Sequence, residues 1–106
     1  MALNHLKPVV KDGRGMIGFA RATYVNARAL AASTAESFTV PAGAQYVNFS
    51  STVDFYANFT TTATVPGDTT DGSASVLNPG LRSLEGATTI SVISAATCIV
   101  TAEFFK

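Results

Sequence analysis

From residue 36 onward, hydrophobic and polar positions alternate with a period of two, in short runs broken by Pro, Gly, Asp and Ser. That is the signature of half-buried strands joined by turns. A first strand is predicted over 37–40, ended by the turn sequence Pro41-Ala42-Gly43-Ala44. The run 45–51 puts Tyr46 and Asn48 on one face and Val47 and Phe49 on the other. Residues 54–64 are rich in aromatics and Thr, as strands are. A long polar loop over 65–79 carries Pro66-Gly67-Asp68 and Asp71-Gly72-Ser73. A brief strand is expected over 81–84, and two β-branched runs over 88–95 and 97–105 complete the series. Six to eight short strands at this spacing predict an all-β protein, a β-sandwich or jelly roll of mainly antiparallel strands.

The stretch before residue 36 is less uniform. Over 16–32, MIGFARATYVNARALAA, the alanines favour helix by propensity. Ile17, Phe19, Arg21, Thr23 and Val25 nevertheless alternate with smaller residues. Extended structure is predicted here, because a lone helix beside an all-β body needs a face to cover. Residues 1–15 read as an N-terminal arm, since Pro8 interrupts any early helix and Asp12-Gly13-Arg14-Gly15 is turn-like. The expected organisation is an arm over 1–15 and one β domain over 16–106, with no internal repeat at a 20–50-residue period.

Charge alters this picture more than length does. A chain of 106 residues is one domain, able to bury about 65% of its unfolded surface. Charged residues make up 13% of it, about half the usual ~25%, and Thr, Ser and Ala take their place. A weakly charged surface of that kind suits coverage by other protein. The net charge is zero, but residues 1–30 hold Lys7, Lys11, Arg14, Arg21 and Arg28 against Asp12, and the remainder carries the balancing acidic excess. A basic leading segment and an acidic body can dock on copies of each other or on another acidic surface. Within the arm, Leu3, Leu6, Val9 and Val10 are predicted as apolar anchors, and Lys7, Lys11 and Arg14 as ion-pairing partners.

Little in the sequence points to chemistry. Gly13-Arg14-Gly15-Met16-Ile17-Gly18 matches G-x-G-x-x-G in form, with Glu36 downstream. A dinucleotide site, however, needs that motif between a strand and a helix of a parallel unit. Asp68 and Asp71 offer two carboxylates without EF-hand spacing, so loop solvation is expected and no metal. His5 is the single histidine, which leaves zinc ligation and a histidine-activated nucleophile unsupported. Cys98 is the single cysteine, excludes an internal disulfide, and reads as a buried thiol. No apolar stretch approaches the ~20 residues of a membrane-spanning helix, and the leading residues lack the apolar block of a signal peptide. The sequons at Asn48 and Asn58 are therefore read as chance. The basic residues of the leading segment lack the aromatic interleaving of a nucleic-acid surface. The expectation is a soluble non-enzyme made in the cytoplasm, with no cofactor and with neither nucleic acid nor membrane as partner.

The order FTVPAGAQYV over 38–47, VDFYANF over 53–59, ATVPGDTTDGSASVLNPGLRSL over 63–84 and TTISVISAATCIVTAEFF over 88–105 resembles small virion proteins of tailed bacteriophages. The resemblance is strongest to the cement or decoration proteins of the capsid surface. It implies a non-enzymatic structural subunit, frequently trimeric, bound to the major capsid protein where capsid subunits meet. Such a protein has few charges that are costly to desolvate, and many modest contacts on one lattice act together. The alternative implied is a tail or head-fibre β domain that binds host-surface glycans. Glycan sites favour aromatics in loops, whereas Phe38, Tyr46, Phe49, Phe55, Tyr56, Phe59, Phe104 and Phe105 are predicted within strands.

Overall fold

The alternating runs become strands stacked in two layers. A computed structural model describes residues 3–6, 8–11, 16–19 and 21–106, and for 8–11 and 16–19 the backbone alone. Among the described residues there is no helix. The strands are β1 (Pro8–Lys11), β2 (Met16–Phe19), β3 (Tyr24–Leu30), β4 (Glu36–Thr39) and β5 (Tyr46–Ser51). They continue with β6 (Tyr56–Asn58), β7 (Val76–Leu77), β8 (Leu81–Ser83), β9 (Thr89–Ile93) and β10 (Cys98–Phe105). Every pairing is antiparallel.

The pairing is nested. β3 pairs with β10, β4 with β9, β5 with β8 and β6 with β7, so the first and last strands of the body meet and each inner pair lies within the one outside it. Two further pairings, β10 with β5 and β6 with β9, close this folded ribbon into two four-stranded sheets. Their orders are β3-β10-β5-β8 and β4-β9-β6-β7. This is the strand order of a jelly roll, and it realises the all-β sandwich that the alternation predicts.

The core fills the space between the sheets. Along β10 the phase holds as far as Phe104: Cys98, Val100, Ala102 and Phe104 are buried, whereas Ile99 is half exposed and Thr101 and Glu103 are partly covered. Phe105, in the outward phase, is buried as well. On β5 the same rule buries Val47 and Phe49 and turns Asn48 outward, as the sequence predicts. Phe49 sits at the centre of an aromatic group, with ring centroids 6.3 Å from Phe38, 5.7 Å from Phe55 and 6.3 Å from Phe59. At the other end of the core, Phe104 meets Tyr24 edge-on at 6.0 Å, a geometry that places ring edge against ring face. Cys98 is a free buried thiol directed at the Val53 carbonyl, 3.6 Å away.

Turn chemistry holds the strands in this order. The Ala44 N–H donates to the Pro41 carbonyl at 3.1 Å. Gly43 in between has φ +86°, a left-handed conformation that glycine adopts without a Cβ clash.

The strand expected over 54–64 is shorter than its composition suggests. Only Tyr56–Asn58 joins a ladder. The reason is Asn58, whose Oδ1 accepts from the backbone N–H of Thr60 at 3.0 Å and of Thr61 at 2.9 Å. A side chain that captures the backbone donors two and three residues on offers the backbone an alternative to the sheet and ends the strand.

β1 and β2 form a separate two-stranded sheet, with Pro8 opposite Phe19 and Lys11 opposite Met16. This pairing spans residue 15, where the sequence pattern ends the arm, and 12–15 lie outside the described residues. Residues 3–6 join the body instead. The Leu6 N–H donates to the Lys106 carbonyl at 3.2 Å, and the Lys106 N–H to the Asn4 carbonyl at 3.0 Å.

Candidate functional site

The two sheets treat their outer faces differently, and this contrast locates the candidate site. On the sheet β4-β9-β6-β7, the chain covers itself. Ser91 on β9 turns its hydroxyl outward to accept from the Ala63 N–H at 2.8 Å. Ser75 Oγ accepts from the Thr64 N–H at 3.2 Å and from Asn58 Nδ2 at 3.4 Å. Ala63, Ser75 and Asn58 are all buried by the segment that these bonds hold down. Further along, Asp71 Oδ1 accepts from both the N–H and the hydroxyl of Ser73, at 3.1 and 2.6 Å. Those hydrogen bonds favour the ionised carboxylate and hold the Asp71 pKa below its ordinary value.

The outer face of β3-β10-β5-β8 lacks such a cover over most of its area. The alternation leaves Val25, Ala27 and Ala29 of β3 exposed beside Ile99 of β10, and Leu81 of β8 exposed at the far side. Val25 is 51% exposed, Ile99 50% and Leu81 43%. Glu103 is the carboxylate of this face, toward one end of β10, and its Oε1 accepts from Asn48 Nδ2 at 2.9 Å. At one end the face dips into a groove of about 370 Å³ bounded by Leu6, Arg21, Ala22, Leu81 and Phe105, with Asn48 and Glu103 in its lining. The result is a flat, mostly aliphatic and hydroxyl surface with one carboxylate and one rim guanidinium.

A second groove, of about 520 Å³, lies on the self-covered sheet between Ala35, Glu36, Ser37, Thr60, Thr61, Thr62, Thr89 and Ser91. It is lined by hydroxyls around one carboxylate and holds no aromatic ring for a sugar to stack on. Among the described residues, no group of three or more His, Cys, Asp and Glu is placed to hold a metal ion.

The residues predicted as a partner-binding arm are divided by the structure. Leu3 is half-buried and packs on the core, and Leu6 forms one wall of the smaller groove. Val9, Val10 and Lys11 lie in β1, opposite Gly18, Ile17 and Met16. Lys7 and Arg14 fall outside the described residues. Met16, Ile17 and Gly18 of the glycine motif belong to strand β2 rather than to the start of a helix, and His5 is exposed.

The sequence pattern does not single out Val25, Leu81 or Ile99, because each is an ordinary strand residue. One signal was present for Ile99. In CIVTAEFF it occupies the phase opposite Cys98, Val100, Ala102 and Phe104, so an aliphatic stands where a polar residue is expected. No protein-family model, curated protein or solved structure matches the chain.

Proposed function

We propose that this chain is a non-enzymatic structural subunit of a bacteriophage virion, a capsid cement or decoration protein that docks on the major capsid protein and stabilises the head across neighbouring subunits. The observation that carries this reading is the uncovered outer face of β3-β10-β5-β8. It presents Val25, Ile99 and Leu81 to solvent with a single carboxylate, Glu103, near one end. Burying such a face gains the hydrophobic term at about 25 cal/mol per Å² and desolvates few charges. The jelly roll occurs in viral coat domains but also in lectins, so the fold alone does not choose between them. Two features favour the protein partner: the hydroxyl groove lacks an aromatic platform, and the most exposed positions of the open sheet face are the aliphatics Val25, Ile99 and Leu81.

Purified phage particles test the proposal directly. Mass spectrometry is expected to find the chain in the head at a fixed ratio to the major capsid protein. Particles stripped of it are expected to rebind the wild-type protein and to rebind Ile99→Lys at least tenfold more weakly. Absence from particles, or recovery only with the tail, overturns the proposal.

A further inference from the structure

A sandwich of two open sheets has four edge strands, here β3 and β8 in one sheet and β4 and β7 in the other. Exposed edges are templates for unwanted pairing, and proteins blunt them by shortness or by capping. Three of the four are blunted. β7 is two residues long and β8 three. β4 has four, and one of its carbonyls, that of Ser37, accepts from Arg28 Nε at 2.9 Å. β3 is the exception: it runs for seven residues, Tyr24–Leu30, without Pro or Lys.

The direction of its backbone groups follows from the ladder. The Thr52 N–H donates to the Ile99 carbonyl at 3.1 Å. In an antiparallel sheet the N–H and C=O of one residue point to the same side and successive residues alternate. Ile99, Thr101 and Glu103 therefore turn toward β5, and Val100, Ala102 and Phe104 toward β3, where they face Arg28, Asn26 and Tyr24. The intervening residues Val25, Ala27 and Ala29 direct their N–H and C=O groups away from the sheet. No backbone hydrogen bond from another segment reaches these groups among the described residues.

We infer that β3 pairs antiparallel with β3 of a second copy of this chain, about a two-fold axis at Ala27, to join two four-stranded sheets into one of eight strands. This register is the one that uses all the outward groups. Ala27 faces Ala27 of the second copy, and Val25 faces its Ala29, in hydrogen-bonded pairs that close six N–H···O bonds. Between them, Asn26 faces Arg28, so no like charges stand directly opposite. On the outer face the meeting side chains are Val25, Ala27 and Ala29, small enough for close approach and continuous with Ile99, which neighbours Ala29 across the ladder. A self-complementary edge of this kind gives an isologous, closed dimer. The inference is independent of the capsid role, and it predicts two copies in place of the three implied by the resemblance to decoration proteins.

Sedimentation of the full chain at micromolar concentration tests the pairing. Wild type is expected as two copies. Ala27→Lys and Ala27→Glu each set like charges opposite one another at the axis, and each is expected as one copy. An equimolar mixture of these two variants is expected to return to two copies. If circular dichroism shows either variant unfolded, Ala27→Pro serves in its place and is expected as one copy. It removes an outward N–H that the β3–β10 ladder does not use, a substitution edge strands accept. Wild type sedimenting as one or three copies overturns the inference. So does a folded charge or proline variant that keeps the mass of two, or a mixture of charge variants that stays at one copy.

Discussion

The two outer faces of this sandwich have similar compositions, Thr, Ser and small aliphatics, yet one is covered by its own chain and the other is left bare. On β4-β9-β6-β7, Asn58, Ser75 and Ser91 satisfy the backbone of the segment that folds over them. On β3-β10-β5-β8, Val25, Ile99 and Leu81 face solvent. The lesson is about polar groups rather than hydrophobic ones. A loop can lie on a sheet only if the sheet supplies acceptors for its buried N–H groups, because an unpaired buried donor costs about 1–3 kcal/mol. The covered face has outward-pointing Ser and Asn bonded to the backbone of the loop, whereas on the bare face the outward Asn48 spends its amide on Glu103 and exposed aliphatics stand at Val25, Ile99 and Leu81.

Both faces rest on one core, so the largest effect is expected there and should not distinguish them. Phe49→Ala removes the ring that touches Phe38, Phe55 and Phe59. A loss of about 3–5 kcal/mol is expected in chemical denaturation, enough to unfold a domain of this size at moderate temperature.

Deleting residues 1–7 comes next. It removes the backbone bonds between 4–6 and Lys106, the Asn4 side-chain bond to the Arg21 carbonyl and the packing of Leu3. At about 1 kcal/mol for each hydrogen bond, a loss near 3 kcal/mol is expected by urea melt. An unchanged midpoint means these residues serve binding alone.

A pair of substitutions separates the two faces. Asn58→Ala should cost about 1–3 kcal/mol of stability, since it removes the side-chain bonds to the N–H groups of Thr60 and Thr61. Ile99→Ser should change stability by no more than about 0.5 kcal/mol, as exposed positions do, while weakening attachment to partners. If thermal melts reverse this order, the faces have been assigned the wrong way round.

The smallest effect concerns the covering loop. The hydrogen bonds from Ser73 lower the Asp71 pKa from its ordinary value of 3.8. A depressed folded-state value stabilises the protein above the unfolded pKa, and that contribution is lost as pH falls through the folded value. Carboxyl resonances followed by NMR should titrate below 3.8 in wild type, and Ser73→Ala should move the midpoint upward. A midpoint that stays put would show the turn to be absent in solution.

Much of the fold was legible in the sequence because strand phase is a local property. CIVTAEFF and YVNF announce their buried faces through the choice of every second residue, and Pro41–Ala44 announces its turn. Two departures have local causes. Asn58 ends a run that composition extends to residue 64, and Val76–Leu77 pairs from within a polar loop with too few residues to show a period. The nested order was not legible, since the pairing of β3 with β10 depends on residues some seventy positions apart. The bare face was legible only at Ile99, because a surface reserved for another molecule obeys the same alternation as one reserved for water.

The position of β10 also sets an order of events in synthesis. It lies between β3 and β5, which touch each other nowhere in the sheet without it. A ribosome that has made both of these strands has not yet made the one that joins them. Until Cys98–Phe105 emerges, two edges wait open and Val47, Phe49 and Leu30 lack their cover. Sheets built on distant pairings form slowly, and chains with open edges are vulnerable to aggregation while they wait. Expression yield of variants truncated within β10 should therefore fall sharply, whereas slower translation before residue 98 should bring little benefit.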